Sequence, residues 1–210
     1  ELDAEFVSGN AGDLISLRGE NYYNITEVNF GSVASEFSIV AADEIQAVVP
    51  ENADYGKITV FNALNTGLGG SISEASGLSP NEFVPIPQVT GLSSGQLASG
   101  ETLTIEGSSF SGVTGVTFND INVVSVSVPS STEINVVIPS GNAKGLPRLL
   151  LKSGQYVDSP NDYTFTPVAT IDVIEDSLGN PIPPGGGLKT GELFQLQGTN
   201  FSTGLLCPTG

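Results

Sequence analysis

The sequence contains no histidine and no methionine, and its 210 residues include one cysteine, Cys207. Without histidine, the Ser-His-Asp and Cys-His arrangements of hydrolases cannot form, and the commonest general base and metal ligand is missing. A single cysteine excludes an intramolecular disulfide, and a zinc site is not expected. We therefore predict a protein that is not an enzyme, uses no cofactor or metal, and holds its fold by packing alone.

Basic residues are also scarce, with 6 Lys and Arg against 23 Asp and Glu and a formal net charge of −17. Binding to phosphates needs clustered cations, so nucleic acid and anionic membrane surfaces are excluded as partners. The sequence has no run of 18 apolar residues, and we expect no membrane insertion. The absence of an opening methionine predicts a processed or trimmed chain, or a piece of a longer one.

A long-period repeat is the main feature that is present. Three segments beginning at Gly12, Gly100 and Gly191 share two glycines seven apart and an aromatic residue three positions later. Further matches join 28–31 to 116–119 and 44–50 to 133–139. Self-similarity at this period indicates domain-sized repeats rather than a solenoid.

Each repeated segment alternates apolar and polar residues, which is typical of a strand with one face in a core. Short strands with frequent turn signals predict an all-β sandwich. The residues predicted to form the cores are Ile15, Leu17, Tyr22, Val28 and Phe30 in the first repeat and Leu103, Ile105, Phe110, Val116 and Phe118 in the second.

Glycine and proline mark the ends of these strands. Gly19, Gly107 and Gly198 precede a turn, where we expect a positive φ or a close backbone approach, with the following aromatic folding back over the core. Pro50 and Pro139 are expected to end central strands, because proline cannot donate to the ladder. The stretch 63–78 is rich in Gly and Ser and predicts a long hairpin loop.

With these motifs the sequence resembles the IPT/TIG family, immunoglobulin-like domains found in plexins and some transcription factors. The family pattern of glycines, aromatic, Val-x-Phe-Gly and Val-Pro is nearly complete in the first repeat. The second repeat departs from it, with Asn119 in place of a glycine and 146–151 in place of a valine-rich strand, and the third stops after Phe201. The resemblance implies tandem immunoglobulin-like β-sandwiches.

The repeats divide the chain into a first module at 1–86, a second at 87–167 and an incomplete third at 168–210. The joint at 84–87 is short and proline-rich, which predicts a semi-rigid rod. Half a sandwich exposes its core, so we expect the third module to be covered by chain beyond Gly210 or by a neighbouring subunit.

The resemblance implies a structural or adhesive function, since the basic loops with which transcription-factor members bind DNA are missing. The leading interpretation is a phage virion component, such as a capsid decoration or tail fibre part, located on the virion surface. The alternative is an extracellular bacterial cell-surface adhesin or glycan-binding stalk, and the third is an accessory module of a carbohydrate-active enzyme. The expected partners are neighbouring protein subunits, with a glycan as a second possibility.

One surface site is predicted, at Tyr23 between Asn21 and Asn24. Tyr23 aligns with Ser111 and Ser202, so it is expected to be exposed, where it could stack on a sugar ring or a protein partner or be a chance surface tyrosine. Three acids near the second joint are expected to cap strands and to occupy solvated turns. Calcium binding by these acids is a weaker alternative. These acids are Asp172, Glu175 and Asp176.

Overall fold

The structure, a computed structural model, describes residues 6–64, 73–140, 144–160, 163–187, 190–191 and 193–201. Within these ranges the chain forms strands and turns, with one short 3-10 helix at Phe110–Gly112 and no α-helix. The fold is all-β and consists of immunoglobulin-like sandwiches in tandem, as the alternation and the family resemblance predict.

Eight strands form the first sandwich. They are β1 (Phe6–Gly9), β2 (Leu14–Arg18), β3 (Ile25–Phe30), β4 (Val33–Ser35), β5 (Phe37–Ala41), β6 (Glu44–Val48), β7 (Gly56–Leu64) and β8 (Ser73–Pro85). One sheet has the order β1-β8-β7-β3-β4 and the other the order β2-β6-β5. The predicted loop at 63–78 is shorter than expected, because β7 and β8 stay paired as far as Leu64 and Ser73. The centre of this loop, 65–72, lies outside the described residues.

Ten strands form the second sandwich and its two-stranded side pair. They are β9 (Gln88–Leu92), β10 (Gln96–Leu97), β11 (Thr102–Ser108), β12 (Val113–Phe118), β13 (Ile121–Asn122), β14 (Ser125–Ser130), β15 (Glu133–Val137), β16 (Pro147–Leu151), β17 (Tyr156–Asp158) and β18 (Thr166–Pro167). The two main sheets have the orders β14-β15-β11-β9 and β13-β12-β16-β17. The central strands β6 and β15 end two residues before Pro50 and Pro139, as predicted.

Each sandwich has its own core, and the second is closed more completely than the first. All five residues predicted for the second core are buried, whereas in the first Val28 and Phe30 are buried and Ile15, Leu17 and Tyr22 are half-buried at its margin. The difference follows from strand order. Strand β2 is at the edge of a three-stranded sheet, but its counterpart β11 lies between β15 and β9.

The glycine before each corner aromatic is required by close approach and not by a positive φ. A Cβ on Gly107 would lie 2.0 Å from the carbonyl oxygen of Gln88, and one on Gly198 would lie 1.8 Å from that of Thr170. Of the two alternatives predicted at these glycines, close approach is therefore the one observed, and a positive φ occurs on the residue immediately before the aromatic. These residues are Asn21 (φ 62°), Ser109 (φ 59°) and Asn200 (φ 61°).

The third repeat contributes one antiparallel hairpin to the described structure, made by β19 (Thr170–Asp176) and β20 (Phe194–Thr199). It matches the pairing of β9 with β11 in the second sandwich. Phe194 and Leu196 occupy the positions of Leu103 and Ile105, but they are 47% and 43% exposed where their counterparts are fully buried.

The joint between the two sandwiches is built from consecutive residues that enter different cores. Phe83 is fully buried in the first core, and the next residue, Val84, is fully buried in the second. A Cβ on Gly112 would lie 3.0 Å from the Val84 side chain, so the 3-10 turn lies directly on it. Because neither side chain can leave its core without exposing apolar area, this arrangement resists bending.

Polar contacts reinforce the joint on one side. The Ser109 hydroxyl donates to the carbonyl oxygen of Glu51 at 2.9 Å, and the amide of Tyr55 donates to the Ser111 hydroxyl at 2.8 Å. The Lys152 ammonium lies 3.6 Å from the centroid of the Tyr55 ring, within the range of a cation–π interaction. Residues from both sandwiches are thus held together through side chains as well as through the linking strand.

Candidate functional site

The structure brings the predicted surface residues together at a turn of the first sandwich. Tyr23 is 63% exposed, as predicted. Asn21 and Asn24 both have positive φ, at 62° and 51°, and the carbonyl oxygen of Asn24 accepts a hydrogen bond from the amide of Ala63. The two asparagines therefore shape the turn, because asparagine tolerates this conformation. Ligand binding at Tyr23 remains a prediction.

A second exposed surface, which the sequence did not reveal, lies on the second sandwich. Val116, Phe118 and Leu149 point into the core, so the residues between them face outward. The register pairs Thr117 with both Asn122 and Arg148, and Arg148 with Asp158. One outward row therefore crosses all four strands of the sheet. Its members, in spatial order, are Asn122, Thr117, Arg148 and Asp158.

A second outward row runs beside the first and is mostly apolar. Leu150 pairs with Gly115 on one side and with Tyr156 on the other. Tyr156 is 56% exposed, and the Arg148 guanidinium carbon lies 5.7 Å from the centroid of its ring. Gly115 has no side chain to rise above the sheet. We call the two rows together, with the adjoining Asp120, the outer platform.

Arg148 lies at the centre of the outer platform and is held by two carboxylates. Its Nε donates to Asp158 Oδ1 at 2.7 Å, and its Nη1 donates to Asp120 Oδ1 at 3.1 Å. The hydrogen bond to Asp158, followed by the charge of that carboxylate, raises the pKa of the Arg148 guanidinium. The guanidinium is thus charged and oriented, and it is paired with two negative charges.

Asp120 reaches Arg148 because of the turn that precedes β13. Asn119 and Asp120 both have positive φ, at 49° and 61°, which is the geometry of a two-residue type I′ hairpin turn. Gly31 also has a positive φ in the first repeat, at 61°. Asn119 therefore keeps the positive φ of the family glycine. Asp120 has a positive φ that Ser32 at the equivalent position lacks, and its carboxylate reaches Arg148.

Thr117 has an unusual environment on this outward face. It is only 7% exposed, and its hydroxyl has no hydrogen-bond partner among the residues that the structure describes. It lines a depression of about 270 Å³ together with Asp120, Lys144 and Arg148. A buried hydroxyl without a partner costs free energy, so a ligand group that bonds to it would recover that loss.

The first sandwich lacks this combination of residues on the equivalent face. The matching register places Asn29 beside Thr59, Thr59 beside Leu78 and Phe61 beside Ser76. No arginine or tyrosine occurs at these positions. Of the two sandwiches, only the second therefore has the outer platform. The sequence feature that could have indicated it is the departure from the family pattern at 146–151.

The first sandwich has a different feature, an apolar cleft between its sheets. The cleft measures about 400 Å³ and lies where β2 forms the sheet edge. Ile15, Leu17 and Tyr22 line one wall and Ile58 and Val60 the other. Burial raises the pKa of the Tyr22 hydroxyl above its ordinary value of 10.0.

The acids considered for calcium do not converge in the described part of the chain, where no three potential metal ligands come together. Asp176 instead closes a turn, accepting hydrogen bonds from the side chain and amide of Asn180 and from the amide of Leu178. These bonds, led by that of the Asn180 side chain, lower the pKa of Asp176 below its ordinary 3.8. Glu175 accepts a hydrogen bond from Gln197.

The described residues include no helix with the length and apolar character needed to cross a membrane.

Residues 87–167 match the family model of the IPT/TIG domain. The resemblance inferred from the repeated glycines and aromatics is therefore confirmed for the second repeat. No curated protein matches the chain.

Solved structures similar to this chain include two bacterial surface glycan-binding proteins. One, from the mixed-linkage glucan utilization locus of Bacteroides ovatus, is 19% identical, with 80% of this chain and 44% of that chain covered and a TM-score of 0.36. The other, from Prevotella bryantii, is 18% identical, with 73% and 37% covered and a TM-score of 0.41. This chain thus spans less than half the length of either protein.

A titin tandem of immunoglobulin domains is 13% identical, with 78% of this chain and 93% of that chain covered and a TM-score of 0.38. At these identities and TM-scores the similarity concerns fold and assigns no ligand.

Proposed function

We propose that this chain is a non-catalytic stalk of an extracellular, cell-surface protein, holding binding surfaces at a fixed spacing and orientation. Its modules in this proposal are 1–86, 87–167 and an incomplete 168–210. The proposal adopts the alternative given by the sequence, a surface adhesin or glycan-binding stalk. The leading interpretation of the sequence, a virion component, stays a prediction that no observation tests.

The observation that carries this proposal is the joint. Phe83 and Val84 are adjacent in sequence and fully buried in different cores, so the two sandwiches share a continuous apolar connection. A flexible tether would place polar or glycine residues here. A stalk needs the stiffer arrangement, because bending at a joint would lose the fixed orientation of whatever it carries.

The stiffness can be measured as a distance distribution between spin labels on the two sandwiches. Ser38 and Ser127 are exposed positions on different sandwiches and can be changed to cysteine for labelling, with Cys207→Ser removing the native thiol. We expect a single narrow distribution that broadens in Val84→Ala and in the Ser109→Ala/Ser111→Ala double variant.

Thr166→Ala is the matched control, since Thr166 follows the buried Phe165 as Val84 follows Phe83 and is itself exposed. This change should leave the distribution unaltered. A broad distribution in the parent protein would contradict a stalk function.

A further inference from the structure

The outer platform has two kinds of surface side by side, and each matches one side of a sugar ring. Tyr156 and Leu150 offer a flat apolar area on which the C–H face of a pyranose can stack. The adjacent row carries an amide, a hydroxyl, a guanidinium and a carboxylate, which can bond to ring hydroxyls. Sites that bind small polar ligands combine apolar area with a few placed polar groups in this way.

The carboxylates on the platform are arranged to accept hydroxyl protons. Asp158 and Asp120 each present Oδ1 to Arg148, so the second oxygen of each can accept from a ligand. Their side chains are 62% and 84% exposed, which leaves them within reach of a ligand. Because Arg148 already orients the two carboxylates, these side chains lose less conformational entropy when a sugar hydroxyl binds.

Thr117 supplies the independent sign that a polar ligand belongs here. Its hydroxyl is buried at the floor of the depression beside Arg148 and is without a protein partner in the described part of the chain. Apolar ligands would leave that hydroxyl unsatisfied, and a partner protein would need a polar group of the right length to reach it. Because this oxygen is almost inaccessible to water in the structure, a sugar hydroxyl that enters the depression bonds to it once the lining side chains move aside.

Charge restricts the class of sugar. Arg148 and Lys144 are balanced at the depression by Asp120 and Asp158, so the platform centre carries no excess positive charge, in a chain of net charge −17. An acidic glycan or other polyanion would be repelled, whereas a neutral sugar has no such penalty. The row also spans three strand spacings, roughly 14 Å, which is longer than one ring needs.

We propose that the outer platform binds a neutral oligosaccharide whose pyranose rings have flat C–H faces. This inference rests on the proposed function, since it supplies a ligand surface on the stalk. The two can fail separately, because a rigid joint requires no sugar and sugar binding requires no rigid joint.

The test is titration of the whole chain with cellohexaose, xylohexaose and mannohexaose, followed by amide NMR shifts and calorimetry. We expect at least one to bind, with shifts confined to the amides around 115–122, 147–150 and 156–158. Binding of none, or stronger binding of the acidic probe polygalacturonate, would overturn the proposal.

Two variants distinguish the outer platform from other exposed aromatic surfaces. Tyr156→Ala should weaken binding about tenfold or more, while Tyr23→Ala, at a similarly exposed tyrosine on the first sandwich, should leave it unchanged. Loss of binding in Tyr23→Ala with retention in Tyr156→Ala would overturn the assignment and favour the Tyr23 turn.

Thr117→Val separates ligand binding from folding. Replacing the unpartnered hydroxyl with a methyl of similar shape should leave the denaturation midpoint unchanged or raise it. The same variant should bind the sugar several-fold more weakly. Unchanged affinity in this variant would show that the hydroxyl does not contact the ligand and would overturn its role in the site.

Discussion

A single glycine in each repeat is required by what lies over it. At Gly107 a carbonyl oxygen from β9 and the ring of Phe110 both occupy the space that a Cβ would fill, at 2.0 and 2.5 Å. The third repeat reproduces this at Gly198 with the ring of Phe201 at 2.8 Å. In the first repeat a Cβ on Gly19 would lie 2.5 Å from the Tyr22 hydroxyl oxygen and 2.9 Å from its ring. The glycine therefore permits the corner aromatic to close the sandwich.

Gly107→Ala should destabilise the second sandwich by about 1–3 kcal/mol, because β9 or the Phe110 ring must move to admit the methyl group. Gly95→Ala is the matched control, since the nearest atom to its Cβ would be 3.8 Å away and its φ is not positive. That change should alter stability by less than about 0.5 kcal/mol. Equal shifts of the urea midpoint in both variants would contradict the close-approach explanation.

The hairpin β19–β20 shows that a strand pair without an opposite sheet leaves its apolar side chains exposed. Leu103 and Ile105 are covered by Val116, Phe118 and Leu149 from the opposite sheet. Phe194 and Leu196 have the same strand pairing but remain nearly half-exposed in the described structure. Pairing alone does not supply the apolar burial that stabilises a sandwich.

Amide exchange should therefore be faster in β19–β20 than in the second sandwich. We expect protection factors lower by about tenfold or more, as in locally unstable units, with the amides of β11 and β15 as the internal reference. Exchange is followed by NMR on the whole chain under native conditions. Equal protection in β20 and β11 would mean that the apolar face of the hairpin is covered.

Strand positions and inward residues were predictable because period-two alternation and the repeated glycines report on them directly. The second core illustrates this, since Leu103, Ile105 and Phe118 are buried as predicted. The incomplete closure around Ile15 and Leu17 was not predictable, because it depends on which strand lies at the sheet edge. Strand order is a property of the folded chain and leaves no local mark in the sequence.

The outer platform was not predictable for a related reason. Thr117, Arg148 and Asp158 are separated by up to 41 residues in sequence and become neighbours only through the pairing of three strands. The sequence signalled only that 146–151 departs from the family pattern. By contrast, Tyr23 was visible as an exposed aromatic because its aligned positions in the other repeats are serines.

At the scale of the whole molecule, the central claim is that the two sandwiches behave as one rigid body joined through Phe83 and Val84. Proline content predicted a short stiff joint, but the interlocking of the two cores and the contacts of Ser109 and Ser111 appear only in the structure. A rigid pair would hold the outer platform at a constant orientation relative to the first sandwich, which the proposed stalk function requires.

Residual dipolar couplings of the backbone amides test this claim most directly, since they report the orientation and order of each sandwich in one alignment medium. The account predicts that couplings from both sandwiches fit a single alignment tensor with the relative orientation of the structure. Two tensors of clearly different magnitude would contradict it, because they would show that the sandwiches reorient independently despite the side chains buried at the joint.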